Sequence, residues 1–230
     1  LDLTNMGIVR LTYDRYDGQN AASGITVNLT TGVVSNDGFG GADQINTTTG
    51  AGRLEINATA LTDTITGSGA NERFILLGGN DTLDAGGGFD LVRYDRSGVT
   101  AVNVNLATGT ATGSHQGLAF THTLSNVEGI RGSRNGDDTL VGNGENNQIT
   151  SYAGDDILRG GGGNDTLYGG SGSDTVIINA NSTDATFAQE GGGWRITTSD
   201  GADLVGFDVE SFQFNNATLS ATDIQSLASQ

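Results

Sequence analysis

A nine-residue period constrains this chain more than any other feature. Residues 160–168 read GGGGNDTLY and 169–177 read GGSGSDTVI. Stepping back in nines gives SYAGDDILR at 151–159, GNGENNQIT at 142–150 and SRNGDDTLV at 133–141. A second block lies upstream: ATALTDTIT at 58–66, GSGANERFI at 67–75, LLGGNDTLD at 76–84 and AGGGFDLVR at 85–93. The eighth position of the nine units is always apolar: Ile65, Phe74, Leu83, Val92, Leu140, Ile149, Leu158, Leu167 and Val176. With 35% apolar residues in the chain, chance would give this about once in ten thousand trials. The sixth position is Asp63, Asp81, Asp90, Asp138, Asp156, Asp165 and Asp174, with Glu72 and Asn147 as departures. Every one can offer a side-chain oxygen.

Composition agrees with a repeat that needs cations. Glycine contributes 38 residues, proline and cysteine are absent, and the net charge is −17. All ten basic residues are arginine. A compact chain of that charge repels itself unless cations bind, and it has little with which to neutralise phosphates, so nucleic acid is not an expected partner. Without cysteine there is no disulfide, thiolate metal site or thiol nucleophile. No stretch has the ~20 apolar residues of a membrane-spanning helix. The chain opens at Leu1 without a signal peptide, which reads as a fragment of a longer protein.

The units resemble the RTX family of calcium-binding nonapeptide repeats, G-G-x-G-x-D-x-U-x with U large and apolar. Units 160–168 and 169–177 match at every specified position. The others match chiefly at the Asp and apolar positions, and the recognisable repeats cover roughly a third of the chain. The resemblance implies an all-β fold, a right-handed parallel β-roll.

The spacing has a physical logic of its own. The Gly-rich half of a unit can take positive φ and bring backbone carbonyls inward. The x-U-x half is a short strand with its apolar residue in the core. Two units make one coil, so turns eighteen residues apart stack about 4.8 Å from each other. Asp138, Asp156 and Asp174 then share one column; Asn147 and Asp165 share the opposite one. Stacked carboxylates repel unless a cation separates them. Calcium accepts six to eight mixed carboxylate and carbonyl oxygens, zinc prefers His or Cys, and magnesium demands tighter octahedral geometry. A metal-free solenoid using Gly, Asn and Asp only as turn formers is the alternative.

The resemblance further implies a ligand set, with carbonyls from the second and fourth positions of one turn and the first and third of the next. One site would use Tyr152, Gly154, Asp156, Gly169, Ser171 and Asp174. A second would use Arg134, Gly136, Asp138, Ser151, Ala153 and Asp156. A third would use Asn143, Glu145, Asn147, Gly160, Gly162 and Asp165, although Asn147 lacks a charge and Glu145 replaces the turn Gly. Upstream, Ser68, Ala70 and Glu72 would pair with Ala85, Gly87 and Asp90, and Thr59, Leu61 and Asp63 with Leu76, Gly78 and Asp81. Both upstream first turns depart from the pattern, so weak or absent ions are expected there. Three to five calcium ions in all are expected; five would offset about +10 of the net charge.

A longer duplication frames the repeats. Tyr13-Asp14-Arg15 recurs as Tyr94-Asp95-Arg96, and Val27–Gly32 recurs as Val104–Gly109. Alternation at Ile25, Val27 and Leu29, and at Val102, Val104 and Leu106, predicts strands with one buried face. The expected organisation is a strand-rich lead-in at 1–57, a first roll block at 58–95, a strand-rich connector at 96–132, a second block at 133–178 and a cap at 179–230. Residues 1–12 read as the tail of a preceding roll. The aromatic-rich cap predicts strands around 185–197 and 203–214, covering an open edge, and a helix at 220–230 capped by Ser220 or Thr222. In the RTX family the extreme C-terminus carries a type I secretion signal, so this segment is a candidate for one.

Nothing here reads as catalytic. His115 and His122 lack an orienting motif or nucleophile and read as surface residues. Thr108, Thr110 and Thr112 fit ordinary strand propensity. The expected function is calcium-triggered folding of a secreted or cell-surface bacterial protein such as a toxin, protease or lipase, with the type I secretion machinery as a partner. Two alternatives stand beside it: a calcium-rigidified adhesin or surface-layer segment, and an accessory module of a polysaccharide-modifying enzyme whose partner is extracellular glycan.

Overall fold

A computed structural model describes residues 9–16, 19–45 and 54–229. The chain divides into two compact units, Leu1–Val99 with Gly109–Gly129, and Thr100–Thr108 with Ile130–Gln230. The 96–132 connector is thus divided between them. The fold is all-β and rich in parallel pairing, with one short α-helix among the described residues, Ala221–Leu227.

In the first unit, Val9–Thr12, Leu54–Asn57, Arg73–Ile75 and Leu91–Arg93 form one parallel sheet. Facing strands Thr26–Asn28, Thr64–Ser68, Thr82–Gly86 and Leu118–Ser125 also run parallel. Antiparallel Val33–Asn36 and Asp43–Gln44 flank one end, and Thr110–His115 pairs back on Leu118–Ser125. Of the expected preceding-roll remnant, residues 1–8 lie outside the described residues.

In the second unit, Gln148–Ala153, Thr166–Ser171 and Ala202–Gly206 run parallel. Gly193–Thr197 and Thr186–Glu190 follow antiparallel. The other sheet stacks Asn103–Asn105, Thr139–Val141, Ile157–Arg159, Thr175–Ile177 and Ser211–Gln213 in parallel, with Thr218–Ser220 antiparallel at the edge. The helix that follows is capped by Ser220, whose hydroxyl accepts from the Asp223 amide while the Asp223 carboxylate accepts from the Ser220 amide.

The register is eighteen residues. Leu140 lies opposite Leu158 and Leu158 opposite Val176; Ile149 pairs with Leu167, Ile65 with Leu83, and Phe74 with Val92. All nine eighth-position side chains are at most 1% exposed. Each such burial contributes about 1.5–3 kcal/mol, and the stack makes each coil depend on its neighbours. The duplication has a structural counterpart. Val27 starts one ladder against Ile65, and Val104 starts the other against Leu140. In both copies an Asn side chain closes the turn that follows: Thr31 N–H donates to Asn28 Oδ1 and Thr108 N–H to Asn105 Oδ1, each at 3.0 Å.

Candidate metal centre

Each turn ends in its sixth residue, just before the strand that buries the eighth. That side chain is therefore held against the core, and Asp63, Asp81, Asp90, Asp138, Asp156, Asp165 and Asp174 are all at most 1% exposed. One oxygen of each supports the stack. Asp174 Oδ1 accepts from Asp156 N–H at 3.0 Å, and Asp156 Oδ1 from Asp138 N–H at 2.7 Å. Asp165, Asp90 and Asp81 accept likewise from Asn147, Glu72 and Asp63, at 2.7–2.9 Å. The lead-in strands enter the same ladders, since Ile25 N–H donates to Asp63 and Val102 N–H to Asp138.

The second oxygen separates two kinds of turn. At Asp81, Asp90, Asp156, Asp165 and Asp174, Oδ2 is buried and accepts no hydrogen bond among the described residues. At Asp63, Asp138 and Glu72 the second oxygen is taken by the turn's own amides, from Thr59, Ser133 and Ser68 respectively. The first turn of each column is thus closed by hydrogen bonds, and the later turns are open. A buried carboxylate oxygen without a donor is costly, and burial accordingly pushes these groups up. Asp81 rises to about 8, with Asp63 adding repulsion; Asp90 and Asp138 rise to about 7; Asp63, Asp165 and Asp174 rise to about 6. Asp156 is raised by the same cause.

Main-chain oxygens complete the cradle. A Cβ on Gly170 would stand 1.9 Å from the Tyr152 carbonyl oxygen, and one on Gly172 1.9 Å from that of Gly154. A Cβ on Gly161 would meet the Asn143 carbonyl oxygen at 1.9 Å, and one on Gly86 that of Ser68 at 2.1 Å. Second- and fourth-position carbonyls therefore face the next turn. First-position carbonyls face back: the Ser151 hydroxyl donates to Gly169 O at 2.7 Å, and a Cβ on Gly67 would meet Ala85 O at 1.9 Å. Ser171 O, a third-position carbonyl, accepts from Gly154 N–H at 3.0 Å.

The gap between turns 151–156 and 169–174 thus brings together Tyr152, Gly154, Asp156, Gly169, Ser171 and Asp174, with a free oxygen on both carboxylates. Across the 133–138/151–156 gap Asp156 Oδ1 accepts from Asp138 N–H, and a Cβ on Gly154 would stand 2.5 Å from Gly136 O, but Asp138 is already bonded to Ser133; Arg134, Ser151 and Ala153 lie on these two turns. The 142–147/160–165 gap holds Asn143, Glu145, Asn147, Gly160, Gly162 and Asp165, where Asn147 Oδ1 is taken by Asn143 N–H at 2.8 Å. In the first unit Glu72 and Asp63, both closed, face Asp90 with Gly87 and Asp81 with Gly78. Among the described residues no three His, Cys, Asp or Glu side chains converge, so an ion here must draw on backbone oxygens. An all-oxygen set of two carboxylates and four carbonyls suits calcium.

Several residues of the columns do not stand out in the sequence. The acidic columns continue through Glu128, Asp203 and Glu210, which accept from Asp90, Asp165 and Asp174 N–H at 2.8–2.9 Å. Each precedes an apolar residue by two, the D-x-U signal with an insertion or a Glu substitution hiding the phase. The fifth position forms a second, exposed ladder in the reverse sense: Asp155 N–H donates to Asp137 Oδ1, Ser173 N–H to Asp155 Oδ1 and Asn164 N–H to Asn146 Oδ1. The surface reading of the histidines is corrected, for His122 is 0% and His115 6% exposed. His122 alternates inward with Phe120 and Leu124, stacks on Phe120 at 4.2 Å, and contacts Tyr94 Oη through Nδ1 at 3.1 Å. Its Nε2 lies 3.3 Å from Asp81 Oδ2, and burial holds its pKa down at about 4.

Stacked turns with buried carboxylates facing inward carbonyls define a cation-binding parallel β-roll. The profile of the RTX calcium-binding nonapeptide repeat matches this chain in four copies, over residues 57–92, 134–167 and 143–176. A search of curated proteins gave no match. No helix among the described residues is long and apolar enough to cross a membrane.

Proposed function

We propose that this chain is a calcium-triggered folding module of a secreted bacterial protein, exported by type I machinery and folding once outside the cell. The observation that carries the reading is the set of four buried carboxylate oxygens, on Asp90, Asp156, Asp165 and Asp174, without a hydrogen-bond donor among the described residues. Where calcium is scarce, those oxygens and the −17 charge oppose collapse, and the Gly-rich chain stays expanded. Where calcium is plentiful, binding free energy becomes folding free energy. Extracellular calcium modules work at about 10⁻⁴–10⁻³ M, so export itself throws the switch. The folded module then stabilises the larger protein that carries it.

Far-UV circular dichroism during calcium titration tests this, with magnesium as control. A cooperative gain of β signal with calcium alone is expected. Asp156→Asn, which alters a residue shared by two gaps, should raise the calcium midpoint by roughly tenfold or more, because ligand charge sets affinity in such sites. A full β signal in excess chelator would contradict the switch.

A further inference from the structure

Residues 198–206 read Thr-Ser-Asp-Gly-Ala-Asp-Leu-Val-Gly, with Gly fourth, Asp sixth and Val eighth. They lie outside every matched repeat. Asp203 follows Asp165 by 38 residues, whereas Asp165 follows Asn147 by 18. The extra length is the hairpin of Thr186–Glu190 and Gly193–Thr197.

The gap between turns 160–165 and 198–203 repeats four contacts of the gap between 151–156 and 169–174. Asp165 N–H donates to Asp203 Oδ1 at 2.9 Å, as Asp156 N–H does to Asp174 Oδ1 at 3.0 Å. Gly163 N–H donates to Asp200 O at 2.9 Å, as Gly154 N–H does to Ser171 O at 3.0 Å. Ala202 N–H donates to Asn164 Oδ1 at 2.9 Å, as Ser173 N–H does to Asp155 Oδ1 at 2.8 Å. A Cβ on Gly201 (φ +153°) would stand 1.6 Å from Gly163 O, as one on Gly172 would stand 1.9 Å from Gly154 O. Independently, Asp165 is 1% exposed, no N–H or O–H donor among the described residues reaches its Oδ2, and its carboxyl stands against that of Asp203.

We propose that calcium binds in this gap too, between Asp165 and Asp203 with the carbonyls of Gly161, Gly163, Thr198 and Asp200, and so clamps the C-terminal hairpin to the roll. The inference rests on the calcium reading of the matched turns. Asp203 stands on the strand Ala202–Gly206, which carries the hairpin through Gly193–Thr197. The hairpin holds Trp194, the only tryptophan, 6% exposed and edge-on to Phe207 at 4.8 Å. Its fluorescence therefore reports the cap separately from the roll.

The test compares the full chain with Asp203→Asn and, as a control outside the gap, Asp184→Asn, counting bound calcium by equilibrium dialysis and following Trp194 emission during calcium titration. Asn at 203 keeps an acceptor for Asp165 N–H but loses the charge; Asp184 is exposed and its carboxylate accepts from Asn181 and Thr183, away from the gap. Asp203→Asn should bind one ion fewer at moderate calcium. Its Trp194 midpoint should rise by roughly tenfold or more, and saturating calcium should restore the emission, which shows that the cap still folds. Asp184→Asn should match the parent. An Asp203→Asn chain with unchanged ion count and Trp194 midpoint, or equal effects from both substitutions, would overturn the clamp. A parent chain that binds no calcium would defeat the reading of the matched turns as well.

Discussion

At the scale of single residues, the buried aspartates set how the chain responds to pH. Burial disfavours the charged form and pushes Asp90 and Asp138 up to about 7 and Asp165 and Asp174 up to about 6. An unfolded Asp titrates near 3.9. A raised folded-state pKa adds stability that is fully present below about pH 4 and is lost as pH rises through about 6 to 7. Metal-free chain should therefore hold more β structure near pH 5 than at pH 8. Calcium needs the ionised carboxylates, so its affinity should run the other way, falling as pH drops from 8 to 5, with protons released on binding near pH 6.5. Calorimetry in buffers of different ionisation enthalpy measures that release. Binding without proton release would mean that these carboxylates are not the ligands.

At the scale of the turn, tight stacking is a demand on backbone as much as on carboxylates. Gly170 has φ +105°, and a Cβ there would collide with Tyr152 O. Gly144 is exposed, with nothing within 4 Å of a Cβ. Gly170→Ala should destabilise the calcium-loaded roll by at least about 1–3 kcal/mol, while Gly144→Ala should stay within about 0.5 kcal/mol. Denaturant unfolding in fixed excess calcium compares the two; equal effects would show that the turns do not stack this closely. The strands themselves are legible in the sequence. Phase alone predicts Thr139–Val141, Ile157–Arg159 and Thr175–Ile177, since an apolar eighth residue flanked by turn formers has few other ways to be buried. Asp203 is not legible, because the inserted hairpin shifts its phase. Glu128 and Glu210 are hidden by the longer acid. His122 is misread as a surface residue although Phe120, His122 and Leu124 alternate, because a polar residue on an inward face looks like an exception until its neighbours are seen. The closing of Asp63, Asp138 and Glu72 by amides of their own turns depends on local backbone direction, which the period does not encode.

At the scale of the molecule, each unit joins a hydrophobic stack to acidic columns, and the two pull in opposite directions without metal. Burial of the eighth-position residues favours the coils; burial of the sixth-position carboxylates opposes them. On the proposed function, a bound cation between turns would change the second term from unfavourable to favourable in a chain that has no cysteine for a disulfide staple. The central claim is that the unpartnered oxygens of Asp156 and Asp174 hold calcium. X-ray diffraction from crystals grown in calcium, collected at a long wavelength where calcium scatters anomalously, tests it most directly. An anomalous peak is expected between turns 151–156 and 169–174, about 2.3–2.6 Å from oxygens of both carboxylates. An ordered roll with no peak in that gap would contradict it.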